Sequence, residues 1–152
     1  MIITRANVEK VLIGRRGKVM TYVGWDGATL DGTNADLTDS IAAAIMLLGG
    51  IIDNITSVTD VDIATIPEGN QMGIFDASEM YLVMAIRGQI LSVDEVTGPF
   101  AAKLSQLPER LLADWKLLKA ELEDVFGIGG IQPFVGIIEQ DFAAHGSEDA
   151  NV

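Results

Sequence analysis

One apolar seam in the second half of this 152-residue chain constrains its fold more than any other feature. Seven large side chains follow one another there at spacings of three or four residues, which places them on one side of an α-helix. We therefore predict a long helix over 104–127, capped by Ser105, with Pro108 in its first turn and Gly127 at its end. The seam residues are Leu104, Leu107, Leu111, Trp115, Leu118, Leu122 and Val125. Leu112 and Leu117 lie off the seam, which predicts a second face against another subunit.

Further helices are predicted upstream, so the fold class is mainly α, a small helical bundle. Thr4 can cap a short first helix that ends at Gly14. Apolar residues recur at helical spacing over 36–50, where a capping aspartate precedes them and two glycines follow. Residues 70–88 are rich in Ala, Leu and Met, which favours a central helix, with a buried strand as the alternative.

The segment 18–34 differs from these helices, because it contains three glycines and two Asp-Gly pairs. Asp-Gly is a turn signal, and we predict a short β-hairpin or an extended loop here. Trp25 lies in this segment, and we predict that it anchors an interface or the loop itself. A calcium loop is not expected, since Ala28 and Leu30 occupy positions that would need oxygen ligands.

The C-terminal residues are too apolar for an ordinary solvated tail. We divide the chain into a helical domain over 1–130 and an extended C-terminal arm over 131–152. The arm is predicted to become ordered against a partner, and the alternative is that it folds back on its own bundle. The arm residues expected at the interface are Ile131, Phe134, Ile137 and Phe142.

Charge is distributed unevenly along the chain, whose net charge is −12. Residues 1–20 nevertheless contain five basic residues and one acidic residue. A basic N-terminal segment on an otherwise acidic protein can bind the acidic face of a neighbouring copy. Arg5, Arg15 and Arg16 are therefore predicted interface residues. The alternative is that these cations are only solvated.

Composition argues against most catalytic classes, and we predict neither an enzyme nor a bound cofactor or metal. The chain has no cysteine and one histidine, His145, which excludes thiolate chemistry and nearly excludes a structural zinc site. A small carboxylate-based hydrolase directed at the cell wall stays open as an alternative. The longest uncharged stretch has 14 residues, whereas a membrane span needs about 20, so a soluble protein is expected.

The order of the elements over 36–130 resembles a known family. A capped helix reads DLTDSIAAAIMLLGG, a short capped turn reads SVTDVDIATI, and a central helix reads FDASEMYLVMAIRG. A linker and a long helix then end in DVFGIGG. This arrangement resembles the helical head–tail adaptor (connector, or head-completion) proteins of tailed bacteriophages. The segments 18–34 and 131–152 lie outside the similarity.

The resemblance implies a virion structural protein of the neck, assembled in the host cytoplasm as a ring with twelve copies. Such a ring would bind the portal protein and the next neck or tail-completion component through extended arms. It would extend the DNA channel, through which the genome passes without specific binding, and an acidic wall would repel the duplex. Two alternatives stay open: another neck or tail-completion protein, and an acidic module that regulates a host protein.

Overall fold

The computed structural model describes residues 2–92 and 101–128, the latter without side chains over 101–105, and this part of the chain is mainly α-helical. No strand occurs in the described ranges. The predicted class, a mainly α bundle with one long helix near its C-terminal end, is thereby confirmed. The helices are α1 (Arg5–Tyr22), α2 (Thr38–Leu47), α3 (Asp60–Ala64), α4 (Ile74–Leu91) and α5 (Ala101–Phe126), with 3-10 turns at Ala35–Leu37 and Glu68–Gly73.

Helix α4 lies at the centre of the bundle and packs against α1, α2 and α5. Its side chains are apolar on several faces, and Ala77, Leu82 and Ile86 have no exposed surface. A helix that is apolar around most of its circumference can bury itself only when neighbours surround it. The structure therefore confirms the predicted central helix and not the alternative strand.

Helix α5 packs on α4 and buries Leu111, Trp115, Leu118 and Leu122 of the predicted seam, whereas Val125 is 63% exposed and does not belong to it. Trp115 is 6% exposed and Leu122 is fully buried. The predicted start was wrong: α5 begins at Ala101, so Ser105 lies inside the helix and does not cap it, and Pro108 lies beyond the first turn. Alanine has the highest helix propensity, and the alanines at 101 and 102 extend the helix upstream despite the backbone hydrogen bond that proline removes.

Helix α1 begins as predicted but continues further. The Thr4 hydroxyl accepts a hydrogen bond from the Asn7 backbone N–H at 3.2 Å, and the Thr4 backbone N–H donates one to Asn7 Oδ1 at 3.0 Å, which completes a capping box. The predicted end at Gly14 was wrong, because α1 extends to Tyr22. Residues 18–22 are thus helical, and within 18–34 the extended-loop alternative is found over residues 23–34.

The C-terminal half of α1 approaches the following loop closely at Gly17 and Gly27. A Cβ atom built at Gly17 would lie 2.8 Å from the Gly27 carbonyl oxygen, which is closer than real Cβ atoms come. The missing side chains therefore allow the loop to lie directly on the helix. Gly17 is therefore a packing position inside the helix, whereas Gly14, the predicted stop, faces open space.

Two alanine substitutions on α1 test this packing. Gly17→Ala is expected to lower the free energy of unfolding by about 1–3 kcal/mol, because the added methyl group overlaps the loop backbone. Gly14→Ala is the matched control: no atom lies within 4 Å of its Cβ position, and the change should stabilise the helix by about 0.5–1 kcal/mol. Urea unfolding measures both, and equal effects of the two variants would contradict the close approach.

Candidate functional site

Arg5, the first residue of α1, connects four parts of the domain, and only 7% of its surface is exposed. Its Nε donates a hydrogen bond to Glu9 Oε2 at 2.8 Å. One terminal nitrogen donates to the Val58 carbonyl oxygen, and the other donates to the Asn34 carbonyl oxygen and the Thr38 hydroxyl, at 2.7–2.9 Å. The guanidinium therefore joins the start of α1 to the 23–34 loop, to α2 and to the segment before α3.

Glu9 is the counter-charge of Arg5 and is fully buried. Besides the arginine, its carboxylate accepts the backbone N–H of Gly32 at 2.7 Å and that of Asn34 at 3.1 Å. A buried carboxylate is tolerated when a cation and several donors surround it, and all of these are present here. The pair thus fixes the end of the loop on α1.

The 23–34 loop is held mainly by its own hydrogen bonds. The Asn34 side-chain amide donates to the carbonyl oxygens of Asp26 and Thr29, while one Asp26 carboxylate oxygen accepts the N–H groups of Ala28 and Thr29 at 2.9 Å. Hydrogen bonding from Thr29 lowers the pKa of Asp26 below its usual value. Trp25 is half-buried and packs on the hydrophobic core, as a loop anchor would.

A polar cleft of about 510 Å³ lies over Arg5, between the loop and α3. Two carboxylates border it, and both are engaged: Asp60 accepts the Arg5 backbone N–H at 2.7 Å, and Asp31 accepts the hydroxyl of Thr33. The Thr33 hydrogen bond lowers the pKa of Asp31, so this group stays ionised where a general acid would need a raised pKa. Hydroxyls from Thr33, Thr38, Thr56, Ser57 and Thr59 supply the other polar groups of the cleft.

A second charged cluster joins α1 to α4 and α5 around Glu79, which is 3% exposed. Arg15 donates to Glu79 at 2.8 Å and to Asp76 at 3.2 Å, and the hydrogen bond to Glu79 raises the pKa of Arg15. Arg16 donates to the other Glu79 oxygen at 3.1 Å and to Asp114 at 2.8 Å. Each of the three helices contributes at least one member of this network.

The residues predicted to lie at an interface therefore differ in how accessible they are to a partner. Arg5 is enclosed by its own domain, and Arg16 is bound on two sides by carboxylates of the same chain. Arg15 keeps 47% of its side chain exposed, so among the three arginines it remains the most accessible. A partner role for the three arginines and Trp25 stays a prediction. The arm residues Ile131, Phe134, Ile137 and Phe142 lie outside the described residues.

Two groups of exposed apolar side chains lie elsewhere on the bundle, and the sequence analysis missed the first of them. The first, which we name the α3 surface, comprises exposed side chains of α3 and of the segment before it: Val61 is 71%, Ile51 is 69% and Ile55 is 55% exposed. The Thr65 hydroxyl at the end of α3 accepts the Ile51 backbone N–H at 2.7 Å, which holds the segment against the helix. The available signal was a run of isoleucines without helical spacing.

The second, the α5 surface, lies on the side of α5 that faces away from α4. Leu117 is its apolar centre and is 70% exposed, and Ala113 and Ala120 lie one turn away on either side. Its border carries charges of both signs, since Arg110, Lys116, Glu121 and Asp124 are all exposed there. Leu117 was predicted to lie off the seam, and it does, whereas Leu112 packs partly against the core.

Comparison with known proteins adds no family assignment: no family model, no curated protein and no solved structure matches this chain. Within the described ranges, no helix combines the length and the apolar character needed to cross a bilayer. In the same ranges no group of three or more histidine, aspartate or glutamate side chains is arranged to hold a metal ion.

Proposed function

We propose that this chain is a structural subunit of a phage neck ring, which binds the portal and extends the DNA channel between head and tail. The observation that carries the proposal is the exposure of large apolar side chains on two separate surfaces, with Val61 and Leu117 each about 70% exposed. Large apolar side chains exposed in this way are common at protein–protein interfaces. A ring subunit needs two such surfaces, one for each neighbour.

The architecture supports the same proposal. A small bundle with a long helix near its C-terminal end is what the resemblance to the helical head–tail adaptors implies. The net charge of −12 suits a protein past which DNA slides without binding, since an acidic wall repels phosphate. Twelve copies per ring, a place in the virion at the head–tail junction, and assembly in the host cytoplasm belong to this proposal.

The nearest alternative is another neck or tail-completion protein, which would also assemble as a ring but would contact different neighbouring components. The carboxylate-based hydrolase has less support. Glycoside hydrolysis needs a carboxyl group with a raised pKa, and the Asp31 carboxyl at the cleft has a lowered one. The cleft is then best understood as a gap between the loop and α3 that the Arg5 network holds open.

Native mass spectrometry of the full chain, alone and with the portal protein of the same genome, tests the proposal. We expect the chain to join the portal in a fixed multiple. A variant that lacks residues 131–152 should keep its helical circular dichroism but lose portal binding, because the arm supplies the contact. Failure of the full chain to bind the portal would contradict the proposal, and loss of helix in the truncated variant would show that the arm belongs to the core.

A further inference from the structure

We infer that residues 26–34 detach from α1 when the carboxylates that hold them are protonated, while the helical bundle stays folded. This conformational change does not depend on the proposed neck function. Detachment would remove one wall of the cleft over Arg5, because Asp31, Gly32 and Thr33 line that cleft.

The backbone hydrogen bonds of residues 26–34 share one kind of acceptor. Six backbone N–H groups of this segment donate a hydrogen bond, and each time the acceptor is a side-chain carboxylate. The donors are Asp26, Ala28, Thr29, Gly32, Thr33 and Asn34, and the acceptors are Glu9, Asp26, Asp31 and Asp36. An ionised carboxylate is a stronger acceptor than a protonated one, so each of these bonds weakens when its acceptor takes up a proton.

The preceding residues 23–25 are held differently. The N–H groups of Val23, Gly24 and Trp25 donate to the backbone carbonyl oxygens of Met20 and Thr21 at the end of α1, and a peptide carbonyl does not titrate. Trp25 also packs on the hydrophobic core, whereas none of the buried apolar side chains of the described residues lies within 26–34. Protonation therefore weakens the contacts of residues 26–34 and leaves those of residues 23–25 and of the core in place.

Two carboxylates attach the segment to the rest of the domain. Glu9 of α1 accepts the backbone N–H groups of Gly32 and Asn34. Asp36, in the 3-10 turn that follows the loop, accepts the backbone N–H of Asp26 at 2.8 Å. These bonds lie near the two ends of the segment, so their weakening frees the whole stretch between them.

Charged groups of the neighbouring elements act in the same direction. They are Arg5 and Glu9 of α1, Asp36 of the 3-10 turn and Asp60 of α3, which borders the cleft and accepts the Arg5 backbone N–H. Arg5 holds the Asn34 carbonyl oxygen through its guanidinium. Protonation of Glu9 would leave this buried guanidinium without its counter-charge, which weakens the attachment further.

The two carboxylates inside the segment give the sign of the pH dependence. Hydrogen bonding from Thr29 lowers the pKa of Asp26, and hydrogen bonding from Thr33 lowers the pKa of Asp31. A carboxyl group with a lowered pKa stabilises the fold above its unfolded pKa of about 3.9, and this stabilisation is lost as the pH falls through the folded pKa. The segment is therefore expected to stay attached at neutral pH and to detach below about pH 4.

Two-dimensional proton–nitrogen NMR of the full chain, titrated from neutral pH to about pH 2.5, measures the detachment. The amide signals of Ala28 and Gly32 are expected to move to random-coil positions. Those of Leu82 and Ile86 in α4 should keep their folded positions over the same range, because the apolar core around them does not titrate. Far-ultraviolet circular dichroism should then retain its helical signal.

A double variant gives the sharper result. Asp26→Asn combined with Asp31→Asn keeps side-chain oxygens that can accept the same bonds but take up no proton in this range. We expect the midpoint of detachment to shift to lower pH by about half a unit. Asp39→Asn combined with Asp53→Asn is the matched control, since both carboxylates are exposed and accept no hydrogen bond from a described residue, and its midpoint should equal that of the unaltered chain.

Three results would overturn the inference. Loss of the α4 signals at the same pH as those of Ala28 and Gly32 would mean that acid unfolds the whole domain at once. Signals of residues 26–34 that keep their folded positions at about pH 2.5 would show that protonation does not release the segment. An equal midpoint in the Asp26→Asn, Asp31→Asn variant and the unaltered chain would show that these two carboxylates do not hold it.

Discussion

Replacement of Arg5 by methionine is expected to lower the free energy of unfolding by about 3–5 kcal/mol. Arg5→Met removes the cation and leaves the fully buried carboxylate of Glu9 without its counter-charge. The same change removes the donors that hold the carbonyl oxygens of Val58 and Asn34. Urea denaturation at neutral pH, followed by circular dichroism, measures the loss.

Two further variants show whether the unpaired Glu9 carboxylate causes this loss of stability. Lys10→Met changes an exposed cation on the same helix and should alter stability by no more than about 0.5 kcal/mol. Adding Glu9→Gln to Arg5→Met should recover part of the stability, because no buried charge then remains unpaired. A loss below about 1 kcal/mol in Arg5→Met would contradict the structural role of this arginine.

Glu79→Gln is expected to cost about 2–3 kcal/mol, since this carboxylate accepts charge-assisted hydrogen bonds from two arginines. Most of the loss should come through Arg16, which is the more buried of the two, while the half-exposed Arg15 can pair with water instead. The glutamine keeps the shape of the side chain, so packing is preserved.

The control for Glu79→Gln is Glu121→Gln, which removes an exposed carboxylate from α5 that forms no ion pair with another described residue. Its effect on urea unfolding should lie within about 0.5 kcal/mol. If both variants lost the same stability, the loss would reflect net charge and not the junction of α1, α4 and α5.

Helices α2 and α5 could be predicted because their apolar residues recur at helical spacing, and α4 because it is rich in Ala, Leu and Met; both are local properties of the sequence. The end of α1 could not: Gly14, the predicted stop, lies inside the helix with open space at its Cβ position, and α1 continues to Tyr22. Glycine often ends a helix but is also tolerated within one, and the residues around Gly14 do not show which of the two applies.

The three N-terminal arginines also show that contacts between residues distant in sequence cannot be predicted from a local pattern. An excess of basic residues near the start of the chain predicted a surface that binds a partner. The sequence does not show how deeply each of these side chains is buried. Glu9, four residues after Arg5, was the one local sign of an ion pair. The other contacts of Arg5 come from Asn34, Thr38 and Val58, which are distant in sequence, and no local pattern predicts them.

The central position of α4 has a consequence for synthesis on the ribosome. Helices α1 and α2 precede α4 in the chain, yet both bury their apolar sides against it. A nascent chain that ends before Ile74 therefore lacks the helix against which α1 and α2 bury their apolar sides, and short helices alone are marginal in water. We expect the first half of the protein to fold stably only after α4 has left the exit tunnel.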